Sequence, residues 1–496
     1  MSSFLALHQL RFIEQEATKA GINLIERSGM AIAEWVKVNT PSKTRILVIA
    51  GRGNNGSDGL AAATKLHLAG FRVDVIRLFK DNTASNQLYY EQFIAEKKPL
   101  SRLPLELGRY GLIIDAIYGI GLTHELDVVA AKIIQKVNES MVPVLSLDAP
   151  SGLNPFTGQI LGAAVNADTT LTFISDKPGL HTGDGLDCSG EVQIIDLIDI
   201  STMPLPEIAQ SQYFNQLATI NYAPLLRMKF NTNKGSYGTA AIIGGNKGMH
   251  GALYLAGRAT LLAGAGKVVV GALDNEFRLD FTMPELMYQP VKEIIKNLQA
   301  YDVIAIGPGL GQDEKALKIL DKLLDEIEDS VLLVDADALN LIASNHQLKL
   351  KFREVRYKII TPHPGEAARI LGVTVNEVQD HRFMSVTDLS EKLNSLTILK
   401  GAGTLVQFHQ STYINTTGNP GLANAGQGDT LTGLIAGFIA QGMDMLNASR
   451  LGVFIHGLAA DRLVLKKQGY NGILASDVSS EAANLINEIV YGSLFS

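Results

Sequence analysis

The 496-residue sequence lacks the features that indicate a secreted or membrane protein. It contains one cysteine, so no disulfide can form within the chain and an oxidising compartment is not indicated. No apolar run approaches the roughly 18 residues that cross a bilayer. Residues 1–21 carry Arg11, Glu14 and Glu16 where a secretory signal would be apolar. We therefore expect a cytoplasmic protein without membrane contacts.

Two further absences narrow the class of protein. With 43 Lys and Arg against 50 Asp and Glu, the net charge is −7, and no basic field is present to bind nucleic acid. The pattern GxxxxGK[ST] does not occur, which excludes a P-loop enzyme. A chain of this length exceeds one hydrophobic core, so we expect two domains that act on small molecules.

Short β-branched runs alternate with amphipathic stretches in two series, one from 45 to about 200 and one from 239 onward. This alternation is typical of parallel strands joined by helices and predicts an α/β fold for both halves. The polar, proline-containing stretch 201–212 interrupts it. We predict a first domain at 1–205, a linker region at 206–222 and a second domain at 223–496.

The stretch GRGNNGSDGLAA, residues 51–62, has the glycine spacing of a dinucleotide-binding turn. Asp58, however, stands where a pyrophosphate would meet the helix N-terminus, so a plain dinucleotide turn is disfavoured. Asn54, Asn55 and Asp58 instead supply oxygens suited to a cation and a polar ligand. The alternative is that Asp58 only caps the helix and the asparagines accept left-handed backbone angles.

Two more strand ends carry an aspartate beside a glycine turn: DAIYGIGL at 115–122 and SLDAPSGLNPFTG at 146–158. Ligands bind at the carboxyl edge of open α/β sheets, so three such ends predict a pocket. Together the three stretches resemble the N-terminal domain of the NAD(P)H-hydrate epimerases. The resemblance implies a Rossmann-like α/β/α sandwich that binds hydrated NADH or NADPH and interconverts its C6 epimers.

The same resemblance implies potassium ligands and substrate contacts. Potassium falls on Asn55, Asp115 and Ser151. The substrate contacts fall on Asn54, Asn55, Gly56, Ser57, Asp58, Gly119, Ile120, Gly121, Leu122, Thr123, His124, Glu125 and Asp148. Epimerisation needs a group that takes and returns a proton near the hydroxylated carbon. Asp148 is our prediction for that group; the alternative is that it only braces the following turn.

The loop AGQGDTLTG, residues 425–433, predicts a second site. Gly426 and Gly428 leave amides open at a helix N-terminus to stabilise a transferring phosphoryl group, and Asp429 is placed to take a hydroxyl proton. This is the GxGD arrangement of the ribokinase-like fold. A helix-capping Asp429 is the alternative. KGAGT, residues 400–404, offers a lysine and backbone groups for nucleotide phosphates.

Further motifs accompany this loop in a fixed order: KGSYG, GGNKGMHGA, GPGLG, DADALN and TPHPGEAARIL. In that order they resemble the ADP- or ATP-dependent NAD(P)H-hydrate dehydratases. The resemblance implies phosphorylation of the C6 hydroxyl, loss of phosphate, and a magnesium requirement. It implies that Asp429 is the base and that Gly426 and Gly428 form the anion hole. The implied substrate contacts are Ala252, Gly309, His363 and Asp429. The implied nucleotide contacts are Lys400, Gly401, Ala402, Gly403, Thr404 and Gly428.

Four nearby residues have open interpretations. His363 lies between two prolines and either contacts ligand or fills a turn. Glu366 is expected to cap the following helix, and the alternative is that it contacts magnesium through water. Asp335 and Asp337 either belong to the coordination shell of a metal ion or accept hydrogen bonds at the strand end.

The two resemblances occur in the order of the fused bifunctional epimerase–dehydratases, whose members form homo-oligomers, so we expect a tetramer or larger. The alternative is a hydroxymethylpyrimidine or sugar kinase with a binding-only first domain.

Overall fold

A computed structural model describes residues 3–100, 106–199, 213–215, 220–227, 230–277 and 283–495. The chain separates into two compact units, Met1–Tyr213 and Phe214–Ser496. Most of the predicted linker, 206–222, lies outside the described residues, and a short strand, Tyr213–Asn215, falls within it. The domain boundaries therefore stay a prediction. Within the described ranges, no helix combines the length and apolar character needed to cross a bilayer.

The first unit is built on a six-stranded parallel sheet in the order β3-β2-β4-β5-β6-β7. A two-residue strand outside this sheet, β1 (Ser3–Phe4), comes first in the chain. The six strands of the sheet are β2 (Arg45–Ala50), β3 (Arg72–Arg77), β4 (Leu112–Ala116), β5 (Val144–Leu147), β6 (Thr169–Phe173) and β7 (Glu191–Ile195). Its helices are α1 (Leu7–Lys19), α2 (Leu24–Asn39), α3 (Asn54–Leu68), α4 (Ala84–Glu96), α5 (Val128–Glu139) and α6 (Gly185–Cys188). The connection from β2 leads to β3 on one side, and the next connection leads from β3 to β4 on the other side of β2. The gap between β2 and β4 is therefore a topological switch point, the position where ligands bind in such sheets.

Local sequence explains these elements. Strand β2 is apolar and buried from Ile46 to Ala50, as a strand covered on both faces must be. Asn23, Thr83 and Asp127 accept hydrogen bonds from the first-turn amides of α2, α4 and α5, which fixes where those helices begin. Helix α3 begins after Gly53 without a side-chain cap, directly behind β2, so its N-terminus opens onto the switch point.

The second unit contains a nine-stranded sheet in the order β17-β16-β15-β14-β13-β12-β9-β10-β11. It is parallel except at β16, which runs antiparallel to both neighbours. A short strand, β8 (Tyr213–Asn215), comes first in this part of the chain and is followed by the nine strands of this sheet. They are β9 (Thr239–Gly244), β10 (Lys267–Ala272), β11 (Met287–Tyr288), β12 (Val303–Ile306), β13 (Val331–Val334), β14 (Lys358–Ile360), β15 (Leu396–Leu399), β16 (Leu405–Phe408) and β17 (Ser411–Ile414).

Helices cover this second sheet. They are α7 (His250–Leu262), α8 (Val291–Ile295), α9 (Glu314–Glu326), α10 (Ala336–Ser344), α11 (His346–Glu354), α12 (Pro364–Leu371), α13 (Val375–Asp380), α14 (Arg382–Leu393), α15 (Gln427–Ala440), α16 (Met445–Lys467) and α17 (Ala475–Phe495). Helix α15 is buried on nearly all sides from Thr430 to Ala440, as expected of a helix that is apolar all round. Its N-terminus is therefore held rigidly.

Candidate functional sites

The first unit contains a cavity of about 880 Å³ where the chain leaves β2, β4, β5 and β6. Its lining includes most of the predicted substrate contacts: Asn54, Asn55, Asp58, Gly119, Ile120, Gly121, Leu122, His124 and Asp148. The other four, Gly56, Ser57, Thr123 and Glu125, do not line it. The strand ends thus converge as expected, and the cavity is large enough for an extended ligand.

The three predicted potassium ligands meet below this cavity. Asp115, 1% exposed, accepts hydrogen bonds from Ser151 Oγ at 2.5 Å and from Ser146 Oγ at 2.8 Å. Asn55 Nδ2 donates to the Tyr118 carbonyl at 2.8 Å, and Ser151 Oγ lies 3.2 Å from the same carbonyl oxygen. Burial raises the pKa of Asp115. Asn55 Oδ1 is buried without a hydrogen-bond partner among the described residues, which fits an oxygen ligand that a cation would satisfy.

Asp148 is held in an unusual way. Its backbone is left-handed, with φ 65°, a conformation that non-glycine residues adopt at a cost and that often marks functional sites. Lys177 Nζ donates to Asp148 Oδ1 at 2.6 Å, and the Ile120 amide donates to Oδ2 at 3.1 Å. Lys177 is fully buried and also donates to Thr172 Oγ1 at 2.6 Å and to the Phe173 carbonyl at 2.9 Å. Sequence reasoning missed Lys177, although it too follows a strand.

Two further carboxyl groups line the same cavity. Asp58 is 9% exposed and accepts a hydrogen bond from the Ser28 hydroxyl, and burial raises its pKa well above the ordinary value. It lies in the second turn of α3 and does not cap the helix, so the capping alternative is wrong. Glu14, on α1, was not predicted as a site residue. Burial and then the charge of Asp148 raise the pKa of Glu14.

In the second unit, the anion site predicted from the sequence falls at the N-terminus of α15. Gly426 is the N-cap residue with φ 88°, a left-handed conformation that favours glycine. No side chain caps this end, so the capping alternative for Asp429 is wrong too. Burial, followed by the charge of Asp335, raises the pKa of Asp429 to about 6. A carboxylate with that pKa is suited to accept a proton near neutral pH.

Lys400 and Asp335 complete this corner of the site. Asp335 is 1% exposed and accepts hydrogen bonds from Lys400 Nζ at 2.7 Å and Thr432 Oγ1 at 2.8 Å. A Cβ atom built on Gly428 would lie 3.3 Å from Lys400 Nζ, so the ammonium group sits against the glycine loop. Burial lowers the pKa of Lys400, but the carboxylates of Asp335 and Glu366 outweigh burial and the net pKa is raised.

The structure decides some of the alternatives left open for Glu366, His363 and Asp337, which follow strands β13 and β14. Glu366 Oε2 accepts from the His363 amide at 2.8 Å in a capping box, as expected. His363 Nδ1 accepts from the Gly365 amide at 3.0 Å, and burial followed by the Lys400 charge lowers its pKa. Asp337 accepts from the Gly311 amide at 2.8 Å. Within the described part of the chain, no three His, Cys, Asp or Glu side chains form a metal-binding cluster.

The other predicted residues fall into two groups. Ala252 and Gly309 are neighbours, since a Cβ on Gly309 would lie 3.3 Å from Ala252 Cβ. The predicted nucleotide loop, 400–404, rests on Arg382, which is 1% exposed and was missed by sequence reasoning. Arg382 Nη2 donates to the carbonyls of Leu399 at 3.4 Å and Gly403 at 3.3 Å. Burial lowers the pKa of Arg382 to about 10, so it remains charged at neutral pH.

Taken together, these features define a two-unit α/β protein with a carboxylate-lined cavity in one unit and an uncapped, glycine-bounded helix N-terminus beside a lysine in the other. Two family models match: the YjeF-related protein N-terminus over residues 21–179 and the NAD(P)H-hydrate dehydratases over residues 240–484. The chain is 35% identical to the bifunctional NAD(P)H-hydrate repair enzyme of Coxiella burnetii, over 97% of this chain and 98% of that protein. The chain belongs to the family of bifunctional NAD(P)H-hydrate repair enzymes.

Two more proteins are similar to this chain. The Escherichia coli (strain K12) bifunctional repair enzyme is 34% identical, over 96% of this chain and 92% of that protein. The Bacillus subtilis ADP/ATP-dependent NAD(P)H-hydrate dehydratase, crystallised with ATP and Mg²⁺, is 33% identical, over 54% of this chain and 95% of that structure, with a TM-score of 0.48. The predicted two-domain α/β fold, Rossmann-like and then ribokinase-like, is confirmed. The two family models and the two bifunctional relatives favour the repair function over the kinase alternative.

Proposed function

We propose that this chain repairs hydrated NADH and NADPH, with epimerisation at C6 in the first unit and nucleotide-dependent dehydration of the S epimer in the second. One observation carries the proposal most strongly: Asp429 lies at the glycine-bounded N-terminus of α15, beside a lysine fixed by a buried aspartate. Amides, a cation and a basic carboxylate are the groups that phosphoryl transfer to a hydroxyl requires.

In the first unit, Asp148 is proposed to exchange a proton with the substrate. Its Oδ1 accepts from Lys177 and its Oδ2 from the Ile120 amide, so the carboxylate has one orientation. Potassium is proposed to bind at Asn55, Asp115 and Ser151. The buried, unpartnered Asn55 Oδ1 and the buried Asp115 carboxylate support this placement, because hard cations prefer oxygen ligands. The ion would order the turn that borders the cavity.

In the second unit, Asp429 is proposed to take the proton of the C6 hydroxyl as the hydroxyl oxygen attacks the terminal phosphoryl group of ADP or ATP. The bond from that phosphorus to the bridging oxygen breaks, and AMP or ADP leaves. The amides at Gly426 and Gly428 and the ammonium of Lys400 stabilise the transferring charge. The C6–O bond then breaks, inorganic phosphate leaves, and loss of a C5 proton restores the double bond of the dihydronicotinamide. Atoms balance, since the hydrate's oxygen departs on phosphate.

Magnesium is proposed to accompany the nucleotide. It neutralises phosphate charge and in nucleotide sites is held mainly by phosphates and waters with one or two carboxylates. Asp335 and Glu366 are buried carboxyl groups that interact with Lys400, and they are the residues that would assist it. The buried single cysteine suits the cytoplasm proposed for the protein, and we propose a homo-oligomer, by analogy with the family.

The test is recovery of dihydronicotinamide absorbance from a mixture of both hydrate epimers, with magnesium, potassium and either ADP or ATP. We expect complete recovery with stoichiometric phosphate release, faster than spontaneous epimerisation. Asp429→Asn should abolish recovery, whereas Asp148→Asn should stop it when the S epimer is consumed. A stable phosphorylated product, or no recovery with either nucleotide, would refute the dehydratase assignment.

A further inference from the structure

Among the acidic side chains of the first-unit cavity, one differs from the others in its contacts. Asp58 accepts the Ser28 hydroxyl, and Asp148 accepts the Lys177 ammonium. The Glu14 carboxyl lines the same cavity, and within the described residues it makes no hydrogen bond or ion pair. Its lone pairs are therefore available to a ligand, whereas those of the other two carboxyl groups are partly used by the protein.

The position of Glu14 on α1 explains this availability. Leu10, Ile13 and Ala17 bury one stripe of the helix in the core. Glu14 stands beside that stripe, and the helix presents it to the cavity together with Arg11 and other residues of α1. A glutamate half-buried at the edge of a core is costly unless it has a partner, so a bound ligand would account for its placement.

We propose that Glu14 is a second proton-transfer group of the first site and acts with Asp148 on the C6 hydroxyl of the hydrate. This inference rests on the proposed epimerase function. Glu14 donates a proton to the hydroxyl oxygen as the C6–O bond breaks, and the ring nitrogen lone pair forms a C6=N1 double bond. The released water, or another, adds to the opposite face of C6 and loses its proton to Asp148. One water leaves and one enters, and the proton taken by Asp148 returns to Glu14 through solvent, so only the configuration of the substrate changes.

The charges around Glu14 favour the donor role. Asp148 and Asp58 face it as carboxyl groups, and Lys177 and Arg11 oppose their effect. Burial, then Asp148, raises the pKa of Glu14, so it keeps its proton to a higher pH than an exposed glutamate. Two carboxyl groups whose environments differ in this way are a common acid–base arrangement. A donor is active when protonated, so activity falls as pH rises through its pKa.

The experiment follows conversion of the pure R epimer without nucleotide, with chromatographic separation of epimers across a range of pH. We expect Glu14→Gln to lower kcat by about 100-fold or more, to leave KM nearly unchanged, and to abolish the alkaline fall in rate. Glu14→Asp should restore part of the rate. Glu16→Gln is the matched control, because Glu16 is on the same helix, pairs with Lys19 at 2.6 Å and does not line the cavity.

The folding of each variant is measured separately for the two units. Trp35 on α2 is the single tryptophan of the chain, so its fluorescence reports the first unit, and dehydration of the S epimer reports the second. A folded Glu14→Gln variant that keeps the kcat and pH profile of the wild type overturns the inference, as does a change confined to KM. If Glu14→Gln unfolds, Glu14→Asp decides by the same measurements. Failure of the wild type to epimerise would instead refute the proposed function.

Discussion

Replacing Asp429 by asparagine removes a charge that the fold buries at a cost. A rise in pKa from 3.8 to about 6 corresponds to about 3 kcal/mol of destabilisation when the carboxyl is ionised. An acidic residue in the first turn of α15 gains roughly 0.3–1 kcal/mol from the helix dipole, which partly offsets this cost. We therefore expect Asp429→Asn to raise the free energy of unfolding of the second unit by about 2 kcal/mol at pH 8.

The sign depends on pH. Between the two pKa values the folded protein binds more protons than the unfolded chain, so the wild type loses stability as pH rises from about 4 to above 6. The variant lacks this loss, and the two proteins should converge near pH 4. At pH 8 a gain of about 2 kcal/mol corresponds to a Tm increase of roughly 3–4 °C for a unit of this size.

Denaturant and thermal unfolding followed by circular dichroism measure this difference, with Trp35 fluorescence used to separate the transition of the first unit. Asp329→Asn is the control, since the Asp329 side chain is 88% exposed and its replacement should leave stability unchanged at both pH values. An Asp429→Asn protein that is equally or less stable at pH 8, or a gain that does not depend on pH, would refute the argument that Asp429 is buried as a charge.

Three further perturbations test other parts of the structure. Ser151→Ala removes a donor from a buried carboxylate and should cost about 2–3 kcal/mol, measured by denaturation with Trp35 fluorescence, and weaken activation of epimerisation by potassium. Arg382→Lys should raise the KM for nucleotide roughly tenfold, about 1.4 kcal/mol, and leave the KM for the hydrate unchanged. Gly152→Ala places Cβ 1.8 Å from a backbone oxygen. Gly70 has a similar φ and open space around it, so Gly152→Ala should lower the free energy of unfolding by at least about 2 kcal/mol more than Gly70→Ala does. Equal losses of stability would contradict the clash.

The motifs at strand ends could be predicted because their information is local. A β-branched run followed by glycine and aspartate sets a strand, a turn and a polar group within about ten residues, and parallel strands bring such ends to one edge. The approach of Asp115 to Ser151 and of Lys400 to Gly428 follows from that rule. The helix that begins at Gln427 was likewise evident from a glycine pair before an apolar run.

Other site groups come from elements whose local sequence carries no functional signal. Glu14 lies on an ordinary amphipathic helix, and only the packing of α1 brings it to the cavity. Arg382 opens α14 and supports carbonyls of a loop about twenty residues away, while Lys177 becomes significant through its contact with Asp148. Their roles depend on distances that composition and spacing do not encode.

The sequence by itself determined the α/β class, the two series of strands, the polar strand ends and the glycine loop, because backbone preference and burial pattern are properties of neighbouring residues. Only the tertiary structure decided which carboxyl groups share a cavity, which of them has a lysine partner, and which keep a raised pKa. Those outcomes depend on desolvation and on charges brought close from distant positions in the chain, and both arise only when the chain is folded.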